Sequence, residues 1–423
     1  MAIIGSNTKS NSPRRKVLEG IRTNPDLIVV PDTSSPASRS AGKRMLRKHQ
    51  VLNCIREQEG LSRAEISKVI GFNLPTVSSL VDELVLENLA LESEARESPM
   101  GRRPIPVSLN DKAASVLGID IGKRKSVALI TNLNGEILYQ LERPSKKFQT
   151  ADDYLNFIYD LLDSMDATFR HPDTPPLAGA GIAIPGLVPL QIEGGSMEVS
   201  TVLASKLSEA LGTQVFVEND ARAMAFAELW FGAGKKCKSF LNLNIGEGLG
   251  MGIVEDGNIV RGSLGYAGEI GQIPLGDVVK SWPTGVERCL ENVASGAGLR
   301  RLANEAGLGN LEGAEIAQLA REGNKKAQKI FNKFADTLAM GIGTVINLYN
   351  PQRIILSGRV IHSLDVFQEV LNTSIPKYTL KSALAQTEVV VSDMIETAGS
   401  QGAAALVLHH IFTCGHVSLQ EVL

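Results

Sequence analysis

Residues 62–88 read SRAEISKVIGFNLPTVSSLVDELVLEN, a stretch that predicts two short amphipathic helices joined by a tight turn. Ser62 begins the first helix, because Glu65 three positions later completes a capping box with it. Gly71 ends that helix, since the left-handed conformation at a helix C-terminus suits a residue without a Cβ atom. This order of signals predicts a helix-turn-helix.

The second helix of the pair has one apolar face and one polar face. Asn73 caps it, and Pro75 lies in its first turn, where an amide hydrogen is not needed. Its apolar residues recur at the spacing of a single buried face, namely Val77, Leu80, Val81 and Leu84. Short polar side chains near its start can reach base edges or phosphates in a major groove: Asn73, Thr76, Ser78 and Ser79.

A short β-hairpin is expected next, from Leu89–Leu91 and Pro104–Leu109. Its tip holds Gly101, Arg102 and Arg103, and these arginines are placed to enter a minor groove or to hold phosphates. The same geometry also occurs in small helical protein-interaction domains. Cap, turn, apolar face and basic wing together favour a winged helix over residues 42–110 that binds double-stranded operator DNA.

Charge is unevenly spread along the chain. Residues 1–50 contain ten Lys or Arg and three Asp or Glu, a net charge of +7. The whole chain has a net charge of −3, so residues 51–423 carry −10. A basic front on an acidic body suits contact with a polyanion at one end. Residues 1–41 are rich in Ser, Asn, Pro and Thr and are expected to form a disordered basic tail.

The length and composition indicate a multidomain protein of the cytoplasm. A chain of 423 residues is too long for one core, so two or three domains are expected. The four cysteines are scattered without a CxxC pair, as expected of reduced thiols. No apolar run has the length of a membrane span, so we expect no membrane partner.

From residue 115 onward, apolar strands alternate with Gly-rich turns. Val116–Ile121 leads into Gly122, and Ser126–Thr131 leads into a turn at residues 132–135, which predicts a hairpin. An Asp at the end of a first strand, followed by Gly and a hairpin, is typical of actin-like ATPase folds. Further segments are GAGIAIPG (179–186), VFVENDA (215–221), LNIGEGLGMG (243–252) and GYAGEIG (265–271).

In this order the segments resemble the ROK family (repressors, open reading frames and sugar kinases), over roughly residues 43–410. The winged helix with its GRRP wing resembles the repressor branch. The resemblance implies an α/β actin-like (hexokinase- or ribonuclease H-like) body of two lobes behind the mainly α-helical DNA-binding domain. We expect one lobe at residues 111–235 and 395–423, and the other at residues 236–394.

The resemblance also implies a sugar-binding site. In the family a carboxylate acts as general base on a sugar hydroxyl, and Asp220 matches it. Asn219, Glu269 and Glu291 match polar residues that hold the sugar, and Gln272 stands where the family has a His. Asp220 and Glu291 could instead cap helices. We expect no catalysis, so Asp220 is a vestigial base.

Two turns that bind nucleotide in the family are altered in this chain. The first, normally D-x-G-G-T, begins with Asp120 and Gly122 but continues with Lys123 and Arg124. The second, normally G-T-G, places Glu247 between Gly246 and Gly248. Bulky cations hinder close approach of the backbone, and a carboxylate repels a triphosphate. We therefore expect vestigial nucleotide loops and no use of ATP.

The zinc site implied by the family is largely absent. It needs one His and three Cys, whereas this chain has Gln272 at the His position and only Cys289 among the cysteines. One thiolate cannot hold a structural zinc. We expect no zinc and no other metal cofactor.

The sequence thus predicts a cytoplasmic, sugar-responsive transcriptional regulator, a repressor with a sugar or sugar derivative as effector. A homodimer or tetramer is expected, because one recognition helix makes few base contacts. An active ATP-dependent sugar kinase with a DNA-binding head is one alternative. A regulator controlled by a protein partner is another.

Overall fold

The computed structural model describes residues 21–28, 36–94, 104–186, 189–192, 195–276, 289–394 and 396–413. The chain divides into two units. The first runs to Val217 and also takes in the chain from Ala404 onward, and the second is Glu218–Ala403. The helix-turn-helix therefore belongs to the same unit as the first lobe.

Three helices and a three-stranded sheet form the winged helix. The predicted caps are confirmed: Ser62 and Glu65 form a capping box, Gly71 has a φ of 75°, and the Asn73 side chain caps the third helix. The axes of the second and third helices differ by 116°, which is typical of a helix-turn-helix. The sheet order is β1-β3-β2, with antiparallel pairing. The elements are α1 (Pro36–Glu57), β1 (Leu61–Ser62), α2 (Arg63–Ile70), α3 (Leu74–Leu86), β2 (Ala90–Glu92) and β3 (Pro106–Leu109).

The small core of the winged helix follows the predicted apolar face of α3. The four residues of that face are all buried: Val77, Leu80, Val81 and Leu84. Ile66 is the fully buried side chain of α2, whereas Val69 is 50% exposed. Among the described residues no single helix is long and apolar enough to cross a bilayer. Only α2 and α3 taken together, as a bent pair, meet those two criteria.

Residues 21–28 pack against the first lobe, so the expectation of a disordered tail is wrong for this segment. The Asn24 amide donates to the carbonyl oxygen of Leu177 at 2.9 Å. Leu27 and Ile28 are each 7% exposed. Burial of these two apolar side chains stabilises the segment. The polar residues around them led to the prediction of disorder.

The first lobe is built on a five-stranded sheet with the order β10-β7-β4-β5-β6. The predicted hairpins are confirmed, because β5 pairs antiparallel with both β4 and β6, while β7 is parallel to β4. Helices α4 and α6 bury their apolar faces against this sheet. The elements are β4 (Ser115–Ile121), β5 (Lys125–Asn132), β6 (Ile137–Pro144), α4 (Ala151–Ser164), α5 (Asp166–Phe169), β7 (Leu177–Ile184), β8 (Pro189–Ile192), β9 (Gly195–Glu198), α6 (Val199–Leu211) and β10 (Gln214–Asn219).

The second unit contains another five-stranded sheet, with the order β13-β12-β11-β14-β15. The long helix α10 lies at the centre of its core. The elements are α7 (Asp220–Trp230), β11 (Ser239–Ile245), β12 (Leu249–Glu255), β13 (Asn258–Ile259), α8 (Gly296–Glu305), α9 (Gly313–Arg321), α10 (Lys325–Tyr349), β14 (Arg353–Ser357), α11 (Gln368–Tyr378), α12 (Lys381–Leu384) and β15 (Glu388–Val391). Helix α13 (Ala398–Thr413) begins in this unit and ends in the first.

The two sheets repeat one topology. In each, three consecutive antiparallel strands form a meander, and two further strands extend the sheet on the side of the first strand, the nearer of them parallel to it. Strands β4 to β6, β7 and β10 correspond in order to β11 to β13, β14 and β15. This duplication confirms the expected actin-like body.

Helix α7 determines where the second unit begins. Ala221 and Ala225 of α7 lie against Gly250 and Gly252 of β12, and a Cβ atom at Gly250 would lie 2.8 Å from that of Ala221. The helix therefore packs closely on the second sheet. For this reason the units divide after Val217, whereas we expected the first lobe to continue through α7 up to residue 235.

Candidate functional site

Helix α3 carries the polar residues expected to reach DNA. The Asn73 Oδ1 atom accepts the amide of Thr76 at 2.9 Å, so this side chain is already used as a cap. Thr76 and Ser78 are half-buried, and Ser79 is exposed. The Ser79 hydroxyl accepts a hydrogen bond from Arg44 Nη2 at 2.9 Å. All four predicted residues thus lie at the N-cap or in the first turns of α3, and the side chains of Asn73 and Ser79 already accept hydrogen bonds within the domain.

Two acidic residues on α3 and one at its C-cap each form an ion pair with an earlier helix. The pairs are Glu83 with Arg44, Glu87 with Lys48, and Asp82 with Arg63. They are partly exposed and contribute little to stability. Their consequence is electrostatic, because an uncompensated carboxylate on a recognition helix would repel DNA phosphates. These pairs join separate elements, so the sequence pattern did not reveal them. Arg102 and Arg103 of the predicted wing lie outside the described residues.

Asn219 and Asp220 lie where β10 ends and α7 begins. The Asn219 Oδ1 atom accepts the amides of Ala221 and Arg222 at 3.1 and 3.2 Å, so Asn219 is the N-cap. One Asp220 oxygen accepts the Asn219 side-chain amide at 3.1 Å and the Ala221 amide at 2.9 Å. The two side chains are held against each other at the positive end of a helix dipole. Asn219 is therefore the main cap of α7, and Asp220 contributes to the cap as well.

Glu218 and two arginines form a network that the sequence analysis missed. The Glu218 carboxylate is 6% exposed and accepts Arg222 Nε at 2.7 Å and Arg261 Nε at 2.9 Å. Arg222 Nη1 also donates to the carbonyl oxygen of Gly265 at 2.6 Å. The spacing of four residues between Glu218 and Arg222 is no clear signal for this pair, because Glu218 lies on β10 and only Arg222 lies on the helix.

Glu269 follows the loop that Arg261 begins. Gly268 has a φ of 93°, and a Cβ atom there would collide with the carbonyl oxygen of Met251 on β12, so only glycine fits. Burial raises the pKa of Glu269, the charge of Arg222 opposes that rise, and Glu291 adds to it. The structure thus brings Glu269 within electrostatic reach of both residues.

Glu291 and Gln272 lie on two short 3-10 helices, Leu290–Asn292 and Ile270–Gln272. A Glu291 oxygen accepts the amide of Leu249 at 2.9 Å, so this side chain braces the first residue of β12. We considered Glu291 as a sugar ligand or as a helix cap, and neither role predicted this contact. The backbone amide of Gln272 donates to the backbone carbonyl oxygen of Glu269 at 3.1 Å. The predicted sugar-binding residues all belong to the second unit.

The first altered nucleotide turn is the β4–β5 hairpin. Asp120 is half-buried near the end of β4, and Lys123 and Arg124 are exposed. A Cβ atom at Gly122 would collide with the carbonyl oxygen of Lys125. The hairpin itself therefore requires Gly122, whether or not a phosphate binds.

The second altered turn is held by an ion pair. Arg300 Nη1 donates to Glu247 at 2.9 Å and to Glu312 at 3.2 Å. Arg300 thus neutralises the Glu247 carboxylate, so Glu247 repels a triphosphate less than the sequence indicated. The pair arises because α8 carries Arg300 next to the turn, which the sequence alone did not reveal.

Backbone amides of α8 also hold this turn. The Gly296 amide donates to the carbonyl oxygen of Gly246 at 2.8 Å, and the Ala297 amide donates to that of Glu247 at 3.1 Å. Within the turn, the Gly246 amide donates to the carbonyl oxygen of Gly248 at 3.0 Å. Amides at a helix N-terminus are the usual donors to phosphate. Here these amides are hydrogen-bonded to the protein.

The residues at the family's zinc position do not fit a zinc ion. Cys289 is 3% exposed, and its Sγ atom donates to the Asn292 side chain at 3.3 Å. Gln272 is a poor zinc ligand compared with His. In the described part of the chain, no three His, Cys, Asp or Glu side chains cluster so as to hold a metal ion.

Comparison with known proteins identifies the family. The family model described as "ROK family" matches residues 116–410, which is more than half of the chain. The chain belongs to the ROK family. Membership confirms the resemblance seen in the Gly-rich segments and in the ENDA and GEIG motifs.

Relatives include both repressors and kinases. The chain is 27% identical over 386 residues to the xylose repressor of Caldicellulosiruptor bescii, covering 86% of this chain and 96% of that protein. It is 30% identical over 309 residues to the N-acetyl-D-glucosamine kinase of Haemophilus influenzae, covering 69% of this chain and 98% of the kinase. The repressor thus matches a larger share of the chain.

A solved structure supports the fold over the same larger share. It is a ROK family transcriptional regulator described as a homologue of the E. coli MLC protein, with a TM-score of 0.76 and 24% identity. The match covers 88% of this chain and 97% of that one. The similarity therefore extends beyond the residues that the family model matches.

Proposed function

We propose that this protein is a sugar-responsive transcriptional repressor of the ROK family that acts in the cytoplasm on operator DNA. The winged helix binds the DNA, and the effector is a sugar or sugar derivative bound at Asn219, Asp220, Glu269 and Gln272. The protein acts as a homodimer or tetramer, because paired recognition helices suit a symmetric operator. Neither ATP nor zinc takes part.

One contrast within the second unit carries the proposal. Asp220 and Glu269 carry carboxylate oxygens that can accept hydrogen bonds from sugar hydroxyls. The turn at residues 246–248, by contrast, is bonded to Arg300 and to the first amides of α8. A chain that keeps sugar-binding residues but uses up its phosphate donors is better suited to sensing a sugar than to phosphorylating it.

Several further observations support the DNA-binding part of the proposal. The capping box, the Gly71 turn and the buried face of α3 all have the geometry of a DNA-binding helix-turn-helix. The similarity to a relative named xylose repressor covers 96% of the length of that relative.

The regulation is a shift between two populations. A sugar changes DNA affinity only to the extent that it binds the DNA-bound and released forms with different affinity. Sugar binding and DNA binding should therefore weaken each other to the same degree.

The test selects DNA sequences with the purified chain from a random double-stranded library and measures affinity by gel shift. D-xylose, D-glucose and N-acetyl-D-glucosamine are then added one at a time. We expect one of them to weaken DNA binding, and Asp220→Asn to abolish that response while DNA affinity without sugar is retained. Asp336→Asn on α10 is the matched control.

The DNA contacts are tested with the selected sequence. Thr76→Ala together with Ser78→Ala should change which sequence is preferred, whereas Arg102→Ala together with Arg103→Ala should weaken binding to all sequences. Unchanged DNA binding in both double variants would show that the winged helix is not the DNA-binding element.

Two alternative functions have distinct outcomes in these experiments. ATP-dependent phosphorylation of any of the sugars, lost in Asp220→Asn, would establish a kinase. Failure of every sugar and sugar phosphate to stabilise the protein against heat would favour control by a protein partner.

A further inference from the structure

Arg222 is a buried arginine whose presence the proposed function does not explain. It lies two positions after Asp220 on α7, and its side chain is 5% exposed. A buried guanidinium is unfavourable unless it is paired and hydrogen-bonded. Its contacts should therefore show why the charge is there.

The contacts of Arg222 join two segments that carry sugar-binding residues. Its Nε atom donates to Glu218 at 2.7 Å, next to Asn219 at the end of β10. Its Nη1 atom donates to the carbonyl oxygen of Gly265 at 2.6 Å, four residues before Glu269. One side chain thus connects the start of α7 to the loop of residues 261–268.

Two further contacts fix that loop. Arg261, its first residue, donates to the second oxygen of Glu218 at 2.9 Å. Gly268, its last residue, lies so close to β12 that no side chain fits there. The loop is thus attached at its start, near its middle and at its end. Glu269 follows directly, so its position depends on these attachments.

Arg222 also affects the charge state of Glu269. Burial raises the pKa of Glu269, whereas Arg222 on α7 opposes the rise and Glu291 on its 3-10 helix adds to it. An ionised carboxylate accepts stronger hydrogen bonds from hydroxyls than a protonated one does. Arg222 therefore favours the form of Glu269 that binds a sugar.

We propose that Arg222 is the positioning residue of the effector site, because it fixes the Glu269 loop to the helix that carries Asn219 and Asp220. The oxygens of the two segments then face a single sugar. This inference rests on the proposed function, since it assumes that a sugar binds these residues.

The test measures sugar affinity by calorimetry in Arg222→Met, with D-xylose, D-glucose and N-acetyl-D-glucosamine as probes. Methionine keeps much of the volume but cannot hold Gly265 or act on Glu269. We expect about tenfold weaker binding or more, as for the loss of a charge-assisted hydrogen bond. Arg353→Met is the matched control, because Arg353 also donates to a carboxylate (Glu388, 3.0 Å) and to a backbone carbonyl (Ala233).

The pH profile separates positioning from a general structural effect. Without Arg222 the pKa of Glu269 rises further, so sugar affinity should begin to fall at a higher pH than in the wild-type protein. If the Arg222→Met protein does not fold, because the buried Glu218 carboxylate has lost the charge of Arg222, the double variant Glu218→Gln/Arg222→Met removes both buried charges together. It should fold and still bind sugar weakly.

The outcomes distinguish this inference from the proposed function. If the folded variants bind sugar with the affinity and pH dependence of the wild-type protein, Arg222 does not have the proposed role, whereas the proposal of sugar sensing is unaffected. Absence of sugar binding in the wild-type protein would overturn both.

Discussion

Two arginine networks in the second unit differ in burial, and they border different parts of the candidate site. Glu218, Arg222 and Arg261 lie beside the residues proposed to bind the sugar, and the first two are about 5–6% exposed. Arg300, Glu247 and Glu312 hold the altered nucleotide turn, with side chains 21%, 30% and 45% exposed. Water can replace the partners of the second network but has little access to the first.

This difference indicates what each network contributes. A buried network restricts its members to one arrangement, because each group that loses its partner keeps a desolvated charge. An exposed network forms and breaks at little cost. The buried network therefore suits exact placement of the residues beside it, where we propose that the effector binds, whereas the exposed network occupies the altered turn at residues 246–248.

The largest effect is expected for Glu218→Gln. Arg222 would keep a hydrogen-bond acceptor but lose its counter-charge, and breaking a buried pair in this way costs about 3–5 kcal/mol. Arg261 is 34% exposed and can turn to water, so most of the loss should come from Arg222. Urea unfolding measures the change. Glu388→Gln, which breaks an exposed pair with Arg353, is the control, and a similar loss in both variants would contradict the comparison.

Glu228 is a useful contrast to Glu218, because it is a buried carboxylate that accepts hydrogen bonds from uncharged groups and not from arginine. It accepts the Ala233 amide at 2.8 Å and the Ser392 hydroxyl. Burial raises its pKa above the ordinary 4.5, and these two hydrogen bonds oppose the rise. The folded protein therefore binds this proton more readily than the unfolded chain does. Its contribution to stability is complete below pH 4.5 and is lost as the pH rises through the folded pKa.

Glu228→Gln should remove that pH dependence. We expect the variant to gain stability relative to the wild-type protein at neutral pH, and the gain to vanish towards pH 4.5. Thermal unfolding across this range measures the difference. Glu255→Gln is the control, because Glu255 is exposed and also accepts a serine hydroxyl, from Ser239 at 2.8 Å. A gain that is the same at every pH would show that burial of the charge is not the cause.

Local signals in the sequence predicted much of the fold. The capping box at Ser62, the Gly71 turn and the hairpin at Gly122 each depend on a few neighbouring residues, so the pattern is sufficient to locate them. The order of Gly-rich motifs then indicated the actin-like body and the residues Asn219, Asp220 and Glu269.

The rest depends on contacts between distant segments. Arg300 is 53 residues from Glu247, and Arg222 is 43 residues from Gly265. Nothing in the spacing of charged residues identifies such partners. The bracing role of Glu291 and the packing of residues 21–28 were missed for the same reason. The sequence therefore located the candidate site but not the interactions that hold it in place.

The smallest effect is expected for Arg300→Ala. Because all three members of its network are partly exposed, the loss in unfolding free energy should stay below about 1 kcal/mol. Arg321→Ala, which breaks an exposed pair with Asp365, is the control and should behave alike. The backbone bonds from Gly296 and Ala297 remain in the variant, so removing the ion pair alone should not create ATP binding, as measured by calorimetry. A loss of several kcal/mol would show that the exposed network is as important as the buried one, and the contrast between the two would no longer hold.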